Sequence, residues 1–437
     1  MASDMIRIGP AREEALRALQ RTQRGLAVSD AIQSGRTLEG PDRALMAQIV
    51  YGVLRNRRYL DAWVRPWLRG PLDPVVADIL RIGLFQLEFL DRVPPYAAVN
   101  AAVEQTKVHK PRAANMVNAL LRRALRERPQ NLTVGERYSH PDWLVDRWRS
   151  RYGERLETIL AADNEVPPLT LRVNLTGTTR EKVVEEIREA GADAHPSPYL
   201  PEAIRVSGSL WLENLESFRR GWITVQDESG MLVAWILDPR PRDHILDMAA
   251  GLGGKALHAL EKAPGCHLTA LDISSKRLQL LDQNLSRTQL ASRVQTVAGP
   301  AEDFAARHPQ SYERVLLDAP CSGLGVLRRR VDARWSKRDT FDEMAARQRR
   351  LLEAALATAK PGGVVVYSTC STEPEETDAV LEAVLTAHGD WHCTDVSPFL
   401  PHPDLRDRVR SGCLVLEPGD FGMDGFFIAR LEQGGQA

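Results

Sequence analysis

The chain has 437 residues, 43% of them apolar and 26% charged, with a net charge of −1. That is enough for two to four domains at roughly 100–200 residues each, and too apolar for a disordered tail. Runs such as Leu232–Leu237 and Val364–Tyr367 fall far short of the roughly 18 apolar residues of a membrane span. The stretch Met1-Ala-Ser-Asp-Met-Ile-Arg7 lacks the apolar core of a signal peptide. Five scattered cysteines make no disulfide framework, have no zinc spacing and suit a reducing, cytoplasmic setting.

Residues 1 to about 130 read as all-helical. Ala11–Arg21, Asp42–Arg55, Pro74–Leu90, Ala97–His109 and Ala113–Arg126 carry apolar residues at helical spacing. Ile79–Leu90 is apolar nearly all round, the mark of a buried central helix, and Pro94-Pro95 stops it. In 131–222, Pro141–Arg155 reads as a helix. Leu169–Asn174 reads as a strand, Thr179–Ala190 as an amphipathic helix ending at Gly191, and Ile204–Val206 and Trp222–Val225 as further strands. From about 223 strands and helices alternate. The strands are Ile245–Met248, Leu268–Ile273, Val294–Ala298, Arg314–Leu317, Val364–Tyr367, a weak one near Cys393, and Phe426–Ala429. The helices are Ala256–Glu261, Ser275–Thr288, Phe341–Ala359 and Glu375–His388. Such alternation predicts a doubly wound α/β sheet, whose ligands sit outside the carboxyl ends of the strands.

The charge is unevenly shared. Residues 1–150 hold 24 Lys+Arg against 16 Asp+Glu, a net of +8, which leaves −9 for the rest. A basic module joined to an acidic one suggests that the first meets a polyanion; the plain structural alternative is a solvated, arginine-rich surface.

Three motifs fall at strand ends. The first predicted strand of the α/β region runs into Asp247-Met-Ala249-Ala250-Gly251-Leu252-Gly253-Gly254-Lys255. A glycine turn there lets a ligand approach the backbone and meet the free N–H groups of the next helix. Gly251-x-Gly253-x-x-Ala256 also fits the dinucleotide pattern, and Asp272, 21 residues on, is placed to grip vicinal ribose hydroxyls. NAD and S-adenosylmethionine both carry such a ribose, so the pair does not choose between them; packing alone is the structural alternative. A phosphate-binding P-loop is excluded, because Ala249 and Ala256 stand where its first glycine and its Ser/Thr belong. The other two motifs are Asp318-Ala-Pro-Cys321-Ser-Gly and Ser368-Thr-Cys370-Ser. One cysteine at a strand end is usually a small buried apolar residue; two on adjacent strands beside an aspartate point to chemistry.

Asp318, Cys321 and Cys370 suffice for methylation of cytosine at C5. That carbon is a poor nucleophile until a thiolate adds to C6, and cysteine can both attack and leave. A carboxyl group at N3 stabilises the charge that the addition puts on the ring, and a second thiol or base helps release the product. The thiol, of pKa ~8.5 when free, has to be lowered by its surroundings.

These motifs resemble those of the bacterial 16S ribosomal RNA cytosine-5 methyltransferases of the Sun/Fmu or RsmB type. So do Arg172-Val-Asn174, Val225-Gln-Asp-Glu228, Glu373-Pro-Glu-Glu376 and Asp424-Gly-Phe-Phe427. Gly52-Val-Leu-Arg55-Asn56, Ala98-Val-Asn100 and Val117-Asn-Ala-Leu-Leu-Arg122 resemble the NusB-like RNA-binding domain fused to that enzyme. The resemblance implies an all-α NusB-like domain (1–130), a helical linker with a small α+β, RRM-like subdomain (131–222), and a Rossmann-like class I S-adenosylmethionine-dependent methyltransferase domain (223–433). It implies Cys370 as the nucleophile, Cys321 as the residue that assists release, and Asp318 beside both cytosine and cofactor. Ala249, Ala250, Gly251, Leu252, Gly253, Gly254 and Lys255 would hold the methionine end of the cofactor, and Asp272 its ribose. The substrate implied is a single-stranded or flipped-out cytidine of 16S ribosomal RNA. The chain departs from the family at Ala249, at Leu324-Gly325, and at Gly299-Pro300, where the family carries Gly-Asp near the adenine.

Arg328, Arg329, Arg330 and Trp335, with Arg334, Lys337 and Arg338, follow the Cys321 loop and suit phosphates and a stacked base. In the first module Arg55-Asn56-Arg57-Arg58 and Arg122-Arg123 could do the same, or form a solvated helix face. Two rival readings stay open: a non-catalytic RNA-binding or assembly protein with a decayed cofactor turn, and a nicotinamide-dependent oxidoreductase, which leaves Asp318, Cys321 and Cys370 unexplained.

Overall fold

The structure, a computed structural model, describes residues 9–33, 37–335 and 341–434. The chain divides into two compact units, Met1–Glu165 with Leu327–Lys337, and Val166–Val326 with Arg338–Ala437.

The first unit is helical: α1 (Pro10–Gln23), α2 (Val28–Ile32), α3 (Gly40–Arg55), α4 (Arg57–Val64), α5 (Pro74–Phe89), α6 (Pro95–His109), α7 (Ala114–Ala124), α8 (Val134–Arg137), α9 (Asp142–Tyr152) and α10 (Leu156–Ala162). The expected central helix is α5, where Ile79, Leu80, Ile82 and Leu84 are all buried. Pro94 and Pro95 do more than stop it; Pro95 opens α6, since its fixed φ suits the first helical turn. α3 lies close to α5 because Gly52 has no side chain: a Cβ there would stand 2.0 Å from the Phe85 ring. Helices α8 to α10, expected as part of a linker, belong to this unit.

Leu327–Trp335, which follows the Cys321 loop in sequence, is built into the interior of the helical unit. The Arg334 guanidinium is fully buried. It donates to the carbonyls of Arg55 (3.3 Å), Ser139 (3.3 Å) and Asp163 (3.0 Å) and to Asn164 Oδ1 (2.7 Å). Arg55 in turn donates to the Arg328 carbonyl at 2.8 Å, and the Trp335 indole N–H to the Leu54 carbonyl at 2.8 Å. Beside them burial pushes the Asp163 carboxyl up to about 7 against the pull of Arg334, and burial lowers Arg334 to about 10.

The second unit holds two sheets. The smaller one has the order β2-β3-β1-β4 and is antiparallel: β1 (Leu169–Val173), β2 (Asp193–Pro196), β3 (Ala203–Ser207) and β4 (Ile223–Val225), with helix α11 (Arg180–Glu189). Leu171, Val173, Ile187 and Ile204 form its core. β2 was not legible as a strand, because Asp193-Ala-His-Pro196 buries one residue in four.

The larger sheet runs β11-β12-β13-β9-β8-β5-β6-β7, with β10 also paired to β13. Its strands are β5 (His244–Asp247), β6 (His267–Asp272), β7 (Val294–Ala298), β8 (Tyr312–Asp318), β9 (Ala359–Thr369), β10 (Trp391–Thr394), β11 (Val409–Arg410), β12 (Cys413–Leu416) and β13 (Phe426–Gln433). β9-β8-β5-β6-β7 are parallel and β13 is antiparallel to β9. Both faces are covered. Ile245, Leu316, Val364 and Val366 enter one core and Leu246, Val315, Leu317 and Val365 the other, as strand alternation requires. Chain order reverses beside β5, and that switch point is where such sheets open a crevice. No helix among the described residues is long and apolar enough to cross a membrane.

Arg334→Met keeps the stem of the side chain and strands its acceptors. It is expected to destabilise the helical unit by about 3–5 kcal/mol, read as a lowered denaturant midpoint; a loss under about 1 kcal/mol would show that those carbonyls find other donors.

Candidate active site

Four strand ends converge at the switch point. After β5, the turn Ala249–Gly253 leads into α14 (Gly254–Lys262). Gly251 and Gly253 hold positive φ, +55° and +86°; at Gly253 a Cβ would meet Leu281 Cδ1 at 2.3 Å, so that position admits only glycine. The turn is fixed from three sides. The Ala249 N–H donates to Asp247 Oδ1 (3.2 Å), the Gly251 N–H to Asp272 Oδ2 (2.9 Å), and the Gly254 carbonyl accepts from Arg172 (2.8 Å). Arg172, on β1 and buried, also pairs with Glu261 of α14 at 2.8 and 2.9 Å and with Gln226. At the end of β6, Asp272 accepts from the Ser274 N–H as well (2.8 Å). The next residue, Ile273, is 66% exposed, and Leu252 on the turn 51%. Two exposed apolar side chains thus follow directly, in sequence, the two residues joined by the Asp272–Gly251 bond.

Lys255 leaves the first turn of α14 and donates to Asp318 Oδ2 at 2.6 Å. Burial is the largest influence and disfavours its charge, yet Asp318 above all, with Cys370 and Asp247, outweighs it and holds the ammonium above its ordinary value. The other Asp318 oxygen accepts from the Ser368 hydroxyl at 2.9 Å; the two residues are partners in the β8–β9 register. The same register carries the Pro-Cys and Thr-Cys loops side by side, and Cys321 Sγ lies 3.3 Å from Cys370 Sγ. The hydrogen bond with Cys370, then burial, push the Cys321 thiol well above the usual range. The neighbouring sulfur and burial thus favour the protonated form of Cys321. Its loop is anchored by the Ser322 N–H on Glu376 Oε1 (2.7 Å) and the Gly325 N–H on the Cys370 carbonyl (3.0 Å).

The structure thus brings Asp318, Cys321, Cys370 and Lys255 together, and places Asp272 against the glycine turn. Lys255, expected at the methionine end of a cofactor, donates its ammonium to Asp318. In the basic stretch the expectation is corrected at Arg328 and Arg334, both buried. Arg328 is buried, and Trp335 is half-buried with its N–H bonded inside the helical unit. Arg329 is half-buried and Arg330 alone is exposed; Lys337 and Arg338 lie outside the described residues. Arg172, Ser368 and Glu376 were not singled out for these roles. Arg172 and Glu376 sit inside family phrases, but their partners are distant in sequence.

A parallel sheet reversing beside β5, with a glycine turn, a buried carboxylate and paired thiols at its carboxyl edge, is the frame of a methyltransferase domain carried with a helical module. The chain belongs to the family described as 16S rRNA methyltransferase RsmB/F, whose model matches residues 234–432. The NusB family model matches 9–126, and a RsmF/B-like ferredoxin-like domain 140–212. It is 39% identical over 396 residues to ribosomal RNA small subunit methyltransferase B of Xylella fastidiosa, covering 89% of this chain and 91% of that protein. It is 34% identical over 408 residues to the protein of the same name from Yersinia pseudotuberculosis, covering 87% and 95%. The crystal structure of PH0851 shares the fold, with a TM-score of 0.81 at 24% identity over 97% of this chain and 98% of that one. The oxidoreductase reading of Gly251-x-Gly253-x-x-Ala256 has no support left.

Burial pushes the Asp247 carboxyl up to about 7, against the Ala249 N–H and with help from Asp318. A folded-state pKa above the unfolded ~3.9 means that the native state holds an extra proton between those values, so this residue's contribution falls as pH rises from about 4 to about 7. Asp247→Asn removes that dependence. Its unfolding free energy should gain on the parent's through this window and run parallel above it. Denaturant titrations from pH 4 to 8 with a constant difference would place the Asp247 proton elsewhere.

Proposed function

We propose that the chain transfers a methyl group from S-adenosylmethionine to C5 of a cytidine in small-subunit ribosomal RNA, through a covalent bond between Cys370 and C6. The observation that carries this is the asymmetric thiol pair at the Asp318–Lys255 ion pair. One thiol is held protonated, and the other stands within the field of an ammonium.

The residues fit the cofactor. Asp272, buried and fixed by two backbone N–H groups, is a carboxylate at ribose height. Ile273 and Leu252 offer apolar faces to a planar ring. The Gly251–Gly253 turn leaves the backbone open to close approach. No carboxylate stands at Pro300, and Glu302 and Asp303 are exposed at the start of helix α16 (Ala301–Arg307). The adenine would therefore be held by stacking on the apolar pair. When bound, the cofactor supplies a methyl group on a positively charged sulfur.

Each protein group then has a task. Cys370 adds to C6, with Lys255 and the Cys321 S–H stabilising its negative charge beforehand. Charge appears at N3 as the sulfur adds. Asp318, between Lys255 and Ser368, is the carboxyl that shares a proton there, and Lys255 feeds it. Once Cys370 is bonded to carbon, the hydrogen bond that chiefly held up the Cys321 thiol is gone. Cys321 can then lose its proton to solvent and, as a thiolate, take the C5 proton; the C5–H electron pair re-forms the C5–C6 double bond as Cys370 leaves as a thiolate, and N3 returns its proton to Asp318. The base must be unstacked for this, because C5 and C6 are shielded within a helix.

Cys370→Ala should abolish both methyl transfer and any protein–RNA adduct. Cys321→Ala should keep the attack and lose elimination, so that an adduct accumulates with S-adenosylmethionine present. Denaturing gels with labelled ribosomal RNA separate the cases; an adduct from Cys370→Ala and none from Cys321→Ala reverses the roles.

A further inference from the structure

Arg57, from the Arg55–Arg58 motif, and Asp332 and Trp335, from the stretch that follows the Cys321 loop, line one cleft of the helical unit. Its volume is ≈ 720 Å³, within the ~300–1,000 Å³ of small-molecule pockets. Most of the arginines near it are committed. Arg55 is buried on the Arg328 carbonyl, and Arg58 holds the His140 carbonyl and Asp142. Arg81 takes Asp61 through two bonds and Asp78 through a third.

Arg57 is different. Its guanidinium lines the cleft, is largely withdrawn from water, which lowers its pKa, and makes no hydrogen bond among the described residues. It lies over the Trp335 ring, 5.5 Å from the centroid. The Trp335 indole is locked by its bond to Leu54, so its orientation is preset. Asp332, on the same stretch, presents a carboxylate to the cleft that is likewise without a hydrogen bond among the described residues. Leu26, 46% exposed, forms an apolar wall.

A desolvated guanidinium with no acceptor is costly unless something else pairs with it. The lining charges balance, Arg57 and Arg81 against Asp78 and Asp332. That balance disfavours a lone phosphate and suits a neutral planar group with both donors and acceptors on its edge. A flat arginine–tryptophan pair beside an apolar wall is a platform on which a base stacks. From these features we infer that the cleft takes one unpaired nucleobase of the RNA substrate, stacked at Arg57 and Trp335 and read on its edge by Arg57 and Asp332. This rests on the RNA reading proposed above. It gives the helical unit a subsite for single-stranded RNA separate from the methyl-transfer site.

The test uses the full chain, a fluorescein-labelled single-stranded RNA decamer, and an abasic decamer with the same phosphates. Arg57→Ala and, independently, Leu26→Glu on the exposed wall should each weaken the intact decamer roughly tenfold, in the range of one lost stacked base. Neither should change binding of the abasic decamer or of S-adenosylmethionine, and melting curves confirm that the variants fold. Parental affinity for the intact decamer in both variants overturns the subsite. An equal loss on both decamers overturns it in favour of a phosphate contact. If the parent chain binds S-adenosylmethionine but not the intact decamer, the RNA reading fails and the subsite with it.

Discussion

The Lys255–Asp318 ion pair is the contact on which the catalytic arrangement depends. It ties the first turn of α14 to the end of β8 at 2.6 Å, and so joins the candidate cofactor turn to the candidate base-binding edge. The Lys255 side chain is 18% exposed and that of Asp318 32%, and a lone ammonium there would be costly. Pairing makes each charge tolerable. It also leaves the pair's field directed at Cys370, which already enters among the influences on Lys255. In the proposed mechanism, a thiol in the field of that cation and beside a protonated neighbour needs no separate base to become reactive.

The surrounding structure supports this pair by fixing its two ends. Arg172 reaches from β1 to the Gly254 carbonyl and to Glu261, so the small antiparallel sheet sets the position of the turn that presents Lys255. Glu376 and the β8–β9 register set the loops that present Asp318 and the two thiols. In the helical unit the same device recurs without chemistry: Arg334 is buried among carbonyls and holds the stretch that follows the Cys321 loop. Buried arginine is used twice for positioning, because its rigid fork satisfies several carbonyls at once.

How much of this was legible follows from the range of each interaction. The α/β alternation, the glycine turn, Asp272 and the paired cysteines were visible, because each is a short motif or a local period. Strand β2 and the pair β11–β12 were not, since Asp193–Pro196 and Val409–Arg410 are too short or too polar to show alternation. α13 (Glu228–Leu237) was seen only as an apolar run, because it is buried on nearly every side and shows no amphipathic period. Arg328 and Arg334 are buried where their sequence position suggests phosphate contacts, because composition cannot tell an arginine that binds phosphate from one that, like Arg334, binds its own carbonyls. The convergence of Arg57 with Trp335 is a tertiary event, and no spacing encodes it.

The central claim is that Cys370 is the activated thiol and Cys321 its protonated partner. Competitive alkylation reads this directly: a limiting dose of iodoacetamide near pH 7, followed by peptide mass spectrometry, ranks the two sites. The Cys370 peptide should be labelled first, and Lys255→Met should slow its labelling while leaving that of Cys266 unchanged. Faster labelling of Cys321, or rates at Cys370 indifferent to Lys255, would contradict the account.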